Sequence, residues 1–208
     1  VRLIHNAYHG PLEVDLDREA ARRRLDLPED RVVLLCIARL MVWKGVDGLI
    51  RALTEFGGDH HLYVAGDGTE EQAWVNLAEG MGLGDRVHFL GNVPYADIPA
   101  WIRASDVFLL NSRYEGLSHT LLEVMWLGTP AAVSGVCGNP ELIEDGVTGR
   151  TFDFQDVPAI AEAIRDLTGN RERAQELAEA SHQKVQGFAR ATIFARTEDL
   201  FREVAGVD

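Results

Sequence analysis

The sequence has 208 residues, of which 46% are hydrophobic and 25% are charged, and these values are ordinary for a globular protein. The length suits one domain that is large enough to bury a core. The net charge is −13, from 20 basic and 33 acidic side chains, so the surface as a whole repels nucleic-acid phosphates and anionic lipid. We therefore expect no nucleic-acid partner, and any bound anion has to be captured locally by a few cations and backbone N–H groups.

Two cysteines, Cys36 and Cys137, have neither metal-ligand spacing nor the number that a disulfide framework needs. Cys36 lies in an apolar run and is predicted to be a reduced core thiol, which favours a cytoplasmic location. No His/Asp/Glu cluster has metal-binding spacing, so no metal or other cofactor is expected. No apolar run approaches the length of a membrane span. The sequence lacks an initiator Met, and we expect it to be a piece of a longer protein.

From residue 31 onward, short apolar runs alternate with amphipathic stretches. The runs predict strands at Val32–Ala38, His61–Gly66, Val87–Gly91, Asp106–Asn111 and Pro130–Ser134. The amphipathic stretches predict helices at Val46–Phe56, at Thr69–Met81 with a cap at its start, at Tyr95–Ala104 and at Ser118–Leu127. Because the runs are continuously rather than alternately apolar, we expect a parallel sheet that is buried on both faces.

This alternation predicts an α/β fold, a Rossmann-like doubly wound sheet with right-handed crossovers. The tail differs, because Val157–Leu167, Arg171–Val185 and Ala189–Val204 predict three successive helices with no strand between them. We divide the chain, as one domain, into an opening segment with a surface loop and short helix (residues 1–30), a core (31–186) and a C-terminal helix (187–208). His60 and His61 open a strand and are expected to face solvent.

Two cations follow the first predicted strand. Arg39 and Lys44 lie on the loop between that strand and the next helix, at the edge of a parallel sheet where ligands bind. Two cations beside a helix N-terminus suit a diphosphate. On position alone, an equally good interpretation is that both are solvated surface charges.

A second cluster follows the fourth predicted strand. Glu115 and Gly116 lie in a loop, Ser118 is a good N-cap for the next helix, and the free N–H groups of its first turn can hold phosphate or sugar oxygens. Glu123 lies in an apolar stretch of that helix, where a carboxylate needs a bonding partner such as vicinal ribose hydroxyls. The alternatives are that Glu123 lies at the helix margin or pairs with Arg39 or Lys44, and that Glu115 is an ordinary loop residue.

The ordered set of motifs resembles the retaining GT-B glycosyltransferases of family 4 over nearly the whole chain. The matching segments are Arg39-Leu40 with Lys44-Gly45, Gly66-Asp67-Gly68, Phe89 to Val93, Ser105 to Phe108, Arg113 to Leu117, Leu122 to Met125, Gly128-Thr129-Pro130 and Pro140 to Gly149. Glu115 and Glu123, with seven residues between them, match the E-x7-E motif of that family. Ile4-His5-Asn6 is similar to the segment by which the chain enters this domain. Ala38, Ala7, Trp126 and Cys137-Gly138-Asn139 depart from the common pattern without removing a polar group.

The resemblance implies a role for each matched residue. Arg39 and Lys44 hold the diphosphate as the leaving group, Glu115 faces the donor sugar, and Glu123 binds the ribose hydroxyls. The backbone at Asn92 and Val93 meets the base. Backbone N–H groups at the start of the helix cradle sugar and phosphate, and the residues concerned are Gly116, Leu117, Ser118, His119, Thr120 and Leu121.

The implied activity is transfer of a sugar from a nucleotide diphosphate donor, with UDP-sugars favoured and GDP-mannose next, to a glycan, lipid-linked or small-molecule acceptor. The resemblance also implies an acceptor-binding N-terminal domain, which we expect to be missing from this sequence, and a last helix, here roughly Ala189–Val204, that crosses back to that domain. We therefore expect the chain alone to be inactive, and the whole enzyme to reach the cytoplasmic membrane face through the missing domain. Two alternatives are a sugar-nucleotide epimerase of GT-B architecture and a non-catalytic module that binds nucleotide sugar.

Overall fold

The computed structural model of the chain describes residues 4–5, 8 and 16–206. Much of the predicted opening segment, including Asn6 and Ala7, therefore lies outside the described residues. Within residues 16–30 the structure places a short helix, α1 (Arg18–Arg24), which begins at the N-cap Asp17. Within these limits the chain forms one α/β layer structure around a single sheet.

The sheet is parallel throughout and has the strand order β3-β2-β1-β4-β5-β6. The strands are β1 (Val32–Ile37), β2 (His60–Ala65), β3 (Val87–Gly91), β4 (Val107–Leu110), β5 (Ala131–Ser134) and β6 (Arg150–Phe152). The first five are the predicted apolar runs, each within one residue at either end. The sixth is only three residues long and pairs with β5 at the edge of the sheet, and the sequence did not reveal it.

Helices cover both faces of the sheet, as the doubly wound prediction requires. The helices after α1 are α2 (Val46–Ala52), α3 (Glu71–Gly80), α4 (Ile98–Ala104), α5 (His119–Trp126), α6 (Asn139–Leu142), α7 (Val157–Gly169), α8 (Arg171–Val185) and α9 (Arg190–Ala205). Side chains of α2, α3 and α7 pack on the face that carries Leu34 and Cys36, whereas those of α1, α4 and α5 pack on the face that carries Val33 and Leu35. Cys36 is fully buried, and burial raises the pKa of its thiol to about 12.

The strand order reverses between β1 and β4. The connection that leaves β1 returns to the sheet at β2 on one side, and the chain that leaves β4 returns at β5 on the other. The connections after β1 and β4 therefore run to opposite sides of the sheet, and the crevice at the carboxyl ends of the strands beside such a reversal is the position at which open α/β sheets bind ligands. Both clusters singled out in the sequence lie on these two loops.

Two local predictions are wrong. The expected cap at Thr69 does not form, because α3 begins at Glu71 with Glu70 as N-cap and no side-chain capping bond, and the Thr69 hydroxyl turns to Met41 Sδ and Glu70 instead. His61 is 4% exposed rather than facing solvent, since its Nδ1 lies 3.0 Å from His88 Nε2 in the adjacent strand. Burial lowers the pKa of His61, so its ring is held neutral.

The C-terminal helix α9 is largely exposed. Ile193 is buried, whereas Phe194, Phe201 and Val204 are exposed. That the last helix crosses back to another domain stays a prediction. Among the described residues, no helix is both long enough and apolar enough to cross a bilayer.

A buried arginine fastens α1 to the amino-terminal edge of the sheet. Arg22 is 1% exposed and donates to the carbonyl oxygens of Ala104 (3.0 Å) and Arg31 (3.0 Å) and to the Asp106 carboxylate (2.6 Å). Asp106 also accepts from the Val33 N–H at 2.7 Å. One guanidinium thus satisfies backbone groups that α1 and the sheet would otherwise bury unpaired.

We expect Arg22→Met to lower the free energy of unfolding by about 3 kcal/mol, because it removes the buried partner of Asp106 and leaves carbonyl oxygens unsatisfied. The lower end of the usual range applies, since Asp106 keeps its contact with Arg18. Urea unfolding monitored by far-UV circular dichroism measures the loss. Arg23→Met on the exposed face of the same helix is the control, and equal stability of the two variants would show that Arg22 fastens nothing.

Candidate functional site

The loop that follows β1 is shaped by a glycine. Residues Val42–Lys44 form a single 3-10 turn, and Gly45 ends it in the left-handed region at φ 55°. A Cβ at Gly45 would lie 2.5 Å from the Asn111 carbonyl oxygen, so no larger residue fits there. The tight turn sets Lys44 beside the loop that follows β4.

Asn111 joins the two loops. It is fully buried at the end of β4, its amide donates to the Gly45 carbonyl at 2.7 Å, and its Oδ1 accepts from the Gln155 N–H at 3.1 Å. The Arg113 N–H donates to the Trp43 carbonyl at 2.7 Å. These bonds fix the positions of Lys44 and Glu115 relative to each other. Asn111 was not among the site residues predicted from the sequence, although an amide at the end of an apolar strand is a signal that could have found it.

Lys44 and Glu115 form an ion pair. Lys44 Nζ lies 2.5 Å from Glu115 Oε2, and their side chains are 17% and 15% exposed. Gly138 supports the Glu115 loop, because its N–H donates to the Glu115 carbonyl at 3.1 Å. The two segments are so close that a Cβ on Gly138 would clash with the backbone of Gly116. The structure therefore brings together one predicted phosphate ligand and the predicted sugar-facing carboxylate.

A second polar brace supports the same loop. The Ser134 hydroxyl, at the end of β5, accepts from the Ser112 N–H at 3.0 Å and donates to the Ser112 carbonyl at 2.7 Å. The Asn139 amide donates to the Ser134 carbonyl at 2.9 Å. All three side chains are buried, so the loop after β4 is rigid up to the point where Glu115 leaves it. Neither serine nor Asn139 was predicted from the sequence.

Arg39 lies on the same loop as Lys44, directly after β1, and is exposed. It borders a cleft of about 270 Å³ whose lining also includes Asp67, Asn92, Val93 and Thr120. At the cleft, the loop after β2 runs very close to the loop after β1, because a Cβ on Gly66 would lie 2.0 Å from the Ala38 carbonyl oxygen. Arg39, the two residues predicted to meet a base, and one residue of the α5 N-terminus thus share one cleft.

Glu123 is 7% exposed and accepts a hydrogen bond from the Tyr95 hydroxyl, with Oε1 2.8 Å from the phenolic oxygen. The interpretation in which Glu123 pairs with Arg39 or Lys44 is wrong, because the described residues place the Tyr95 hydroxyl on Glu123, no ion pair joins Glu123 to Arg39, and Lys44 pairs with Glu115. Burial raises the pKa of Glu123, and the hydrogen bond to Glu123 raises the pKa of Tyr95 to about 12. The contact with Tyr95 was not foreseen from the sequence.

The N-terminus of α5 is capped as predicted. Ser118 Oγ accepts from the Leu121 N–H at 3.3 Å, and the Ser118 carbonyl accepts from the Leu122 N–H at 3.1 Å. Leu121, which the resemblance placed among the ligand-binding N–H groups, therefore already has an acceptor within the chain. Gly116 and His119 are exposed, and Leu117 and Thr120 are half-buried, at the crevice.

Acidic and imidazole groups do not gather into a metal centre in the part of the chain that the structure describes, where no three His, Cys, Asp or Glu side chains lie close enough to share an ion. The positive charges at the carboxyl edge of β1 are those of Arg39 and Lys44. Arg39 borders the cleft, and Lys44 is paired with Glu115.

Comparison with known families identifies the domain. Residues 17–184 match the family described as glycosyl transferases group 1. The chain belongs to this family. A group 1 relative from Mycolicibacterium smegmatis, a GDP-mannose-dependent alpha-(1-6)-phosphatidylinositol monomannoside mannosyltransferase, is 33% identical over 92% of this chain and 55% of its own length. Alpha-D-kanosaminyltransferase from Streptomyces kanamyceticus is 35% identical over 79% of this chain and 44% of its own length.

Solved glycosyltransferase structures share the fold. Sucrose-phosphate synthase from Thermosynechococcus elongatus superposes with a TM-score of 0.88 at 26% identity, over 99% of this chain and 53% of that one. HepE from Anabaena, in complex with UDP, superposes with a TM-score of 0.84 at 25% identity, over 91% of this chain and 53% of that one. The chain thus spans about half the length of the relatives it matches, and it has the architecture of one Rossmann-like half of a GT-B glycosyltransferase.

We expect Glu123→Gln to raise the free energy of unfolding at pH 8. Burial raises the folded-state pKa of Glu123 above its value of 4.5 in the unfolded chain, so ionisation costs stability as the pH rises through the folded-state pKa. Glutamine removes that cost, and the gain shrinks as the pH falls towards 4.5. Thermal unfolding across this pH range measures it.

Glu115→Gln provides the matched comparison. It leaves the ammonium group of Lys44 without its partner, so this variant should be less stable than the parent protein at pH 8. Destabilisation of both variants to the same degree would contradict the assignment of Glu123 as a carboxylate that the fold holds at a cost.

Proposed function

We propose that this chain is the donor-binding half of a retaining family 4 glycosyltransferase, which transfers a sugar from a nucleotide diphosphate donor. The proposal is supported by the placement of two cations after β1 and of two carboxylates after β4, the strands between which the strand order reverses. Arg39 and Lys44 follow β1, and Glu115 and Glu123 follow β4. A nucleotide sugar presents a matching order of groups, with a base and ribose at one end, a diphosphate in the middle and a sugar at the other end.

Arg39 and Lys44 hold the diphosphate. Its negative charge grows as the bond between the anomeric carbon and the phosphate oxygen breaks, so cations fixed in advance stabilise the transition state more than the ground state. The N–H groups between Gly116 and Thr120 add donors at the positive end of α5. Leu121 is left out of this set because Ser118 uses its N–H.

Glu115 faces the donor sugar. Its ion pair with Lys44 sets the carboxylate next to the cation that meets the diphosphate, and the sugar is bonded to that diphosphate. Glu123 binds the ribose hydroxyls from the next turn of α5 beyond Thr120. The backbone at Asn92 and Val93 meets the base in the cleft. In these assignments the base of the donor lies in the cleft, the diphosphate lies in the crevice, and the sugar lies beside Glu115.

UDP-sugars are the proposed donors, with GDP-mannose second. The Anabaena HepE structures in complex with UDP and with UDP-glucose support the first choice, and the mannosyltransferase from Mycolicibacterium smegmatis supports the second. The acceptor is a glycan, a lipid-linked glycan or a small molecule. The acceptor binds to an N-terminal domain, which would account for the other half of the length of the relatives. The whole enzyme works in the cytoplasm.

We expect Arg39→Ala and Lys44→Ala each to weaken the binding of UDP by about tenfold or more, because each removes a charge-assisted contact worth ~1.5–3 kcal/mol. The binding of uridine should change little, since it has no phosphate. Calorimetry with both ligands separates the two effects, and GDP with guanosine repeats the test for the second donor. Equal losses for nucleoside and nucleoside diphosphate would show that neither residue holds phosphate.

Lys44→Ala needs its own control, because it also leaves the Glu115 carboxylate without its partner. The double variant Lys44→Ala, Glu115→Gln removes both charges and keeps the loop neutral. If the loss of UDP affinity comes from the missing cation, the double variant stays weak. Recovery of affinity in the double variant would assign the loss to the unpaired carboxylate instead.

We also expect the chain alone to bind nucleotide and to transfer no sugar. Every proposed donor contact lies within the described residues that follow β1, β3 and β4, whereas an opposite wall of the crevice and an acceptor pocket are not among the described residues. Positioning of two reactants accounts for ~7–11 kcal/mol of such a barrier. The test combines calorimetry with UDP and GDP and product analysis with UDP- and GDP-sugars, with and without glycan acceptors.

The outcomes of that test separate the candidate functions. Nucleotide binding without products supports a donor-binding half, whereas efficient transfer by this chain would contradict it. An epimerised sugar nucleotide formed without acceptor would identify an epimerase. Restoration of transfer by a longer protein that includes a second domain would exclude a non-catalytic binding module.

A further inference from the structure

One hydrogen bond in the crevice lies outside the E-x7-E assignments. It joins Tyr95, at the start of the turn after β3, to Glu123 in α5, with 2.8 Å between the phenolic oxygen and Oε1. Thr120 lines the cleft, and Glu123 lies three residues further along the same helix, so both lie on one face of α5. The Tyr95 hydroxyl is therefore hydrogen-bonded to the Glu123 carboxylate, one turn of α5 beyond the residue that lines the cleft.

The two partners differ in how freely they can move. Glu123 is 7% exposed and is flanked in α5 by Leu122 and Val124, which are fully buried. Tyr95 is 64% exposed, so its ring can swing aside without opening the core. The fixed member of the pair is the carboxylate, and the movable member is the phenol.

The hydroxyl of Tyr95 imitates the contact that a ribose makes. A phenol and a sugar hydroxyl each offer an O–H donor to the carboxylate, and a buried carboxylate without a donor is costly. The hydrogen bond to Glu123 raises the pKa of Tyr95 to about 12, so the phenol stays protonated at neutral pH and remains a donor. In the free protein, Tyr95 supplies the bond that Glu123 needs.

We propose that Tyr95 is a gate for the ribose subsite: its hydroxyl holds Glu123 in the free protein and is displaced by the ribose hydroxyls of the bound nucleotide. This inference rests on the proposed donor site and adds to it a residue that sets ribose specificity. A nucleotide with ribose hydroxyls replaces the bond that it breaks. A nucleotide that lacks these hydroxyls has nothing with which to displace Tyr95.

The test is the variant Tyr95→Phe, which keeps the ring and removes the competing hydroxyl. Calorimetry compares UDP with 2′,3′-dideoxy-UDP, and GDP with its dideoxy analogue. Because Glu123 is left without its donor in the free variant, we expect the ribonucleotide to bind about tenfold more tightly than to the parent protein. Affinity for the dideoxy analogue should be unchanged. Tyr114→Phe, which alters another exposed tyrosine on the adjacent loop, is the matched control and should leave both affinities unchanged.

Each outcome bears on one claim. A gain confined to ribonucleotides, and abolished by Glu123→Gln in the same chain, supports the gate. A loss of affinity, no change, or an equal gain for the dideoxy analogue would overturn it, since Tyr95 would then hold the base or merely orient the loop. The donor site itself fails separately: if the parent protein binds neither UDP nor GDP, or if Glu123→Gln leaves their affinity unchanged, the proposed function is wrong whatever Tyr95 does.

Discussion

The reversal of strand order between β1 and β4 is the constraint on which the rest of the structure depends. The connections that leave these two strands run to opposite sides of the sheet, and ligands of open α/β sheets bind at the carboxyl ends of the strands at such a reversal. Polar side chains placed there stay accessible while the strands beneath them are buried on both faces. The fold thereby creates a rigid rim with a crevice, and the chemistry of the domain follows from the residues that it carries at that rim.

Buried polar bonds make this rim rigid enough to place charges. Asn111 ties the Lys44 turn to the loop after β4, and Ser134 closes the other side of the same loop. Such bonds inside the protein hold their groups firmly, since a buried amide or hydroxyl loses its partner only at a cost of ~1–3 kcal/mol. Lys44 and Glu115 therefore meet in a fixed ion pair, whereas Arg39 and Tyr95 remain exposed. A rigid rim with two exposed and movable side chains suits a site that has to admit a large ligand.

The sequence predicted the order of strands and helices better than it predicted which polar side chains contact each other. Continuous apolar runs predicted five strands, because a strand that is buried on both faces is apolar along its whole length. Ser118 predicted the start of α5, because serine is a favoured N-cap residue. β6 was not predicted, because its three residues, which begin with Arg150, do not form an apolar run. The burial of His61 and the contact between Tyr95 and Glu123 were not predicted from the sequence, for another reason. Each depends on a partner about 30 residues away, and local periodicity says nothing about which side chains a fold brings together.

The central claim is that the diphosphate of a donor lies above the carboxyl ends of β1 and β4. A crystal structure of the protein with a non-hydrolysable UDP-sugar tests it most directly. The account predicts both phosphates between Arg39 and Lys44 at the N-terminus of α5, the ribose on Glu123 and the sugar beside Glu115. A diphosphate bound at any other edge of the sheet, or one that contacts neither cation, would contradict it.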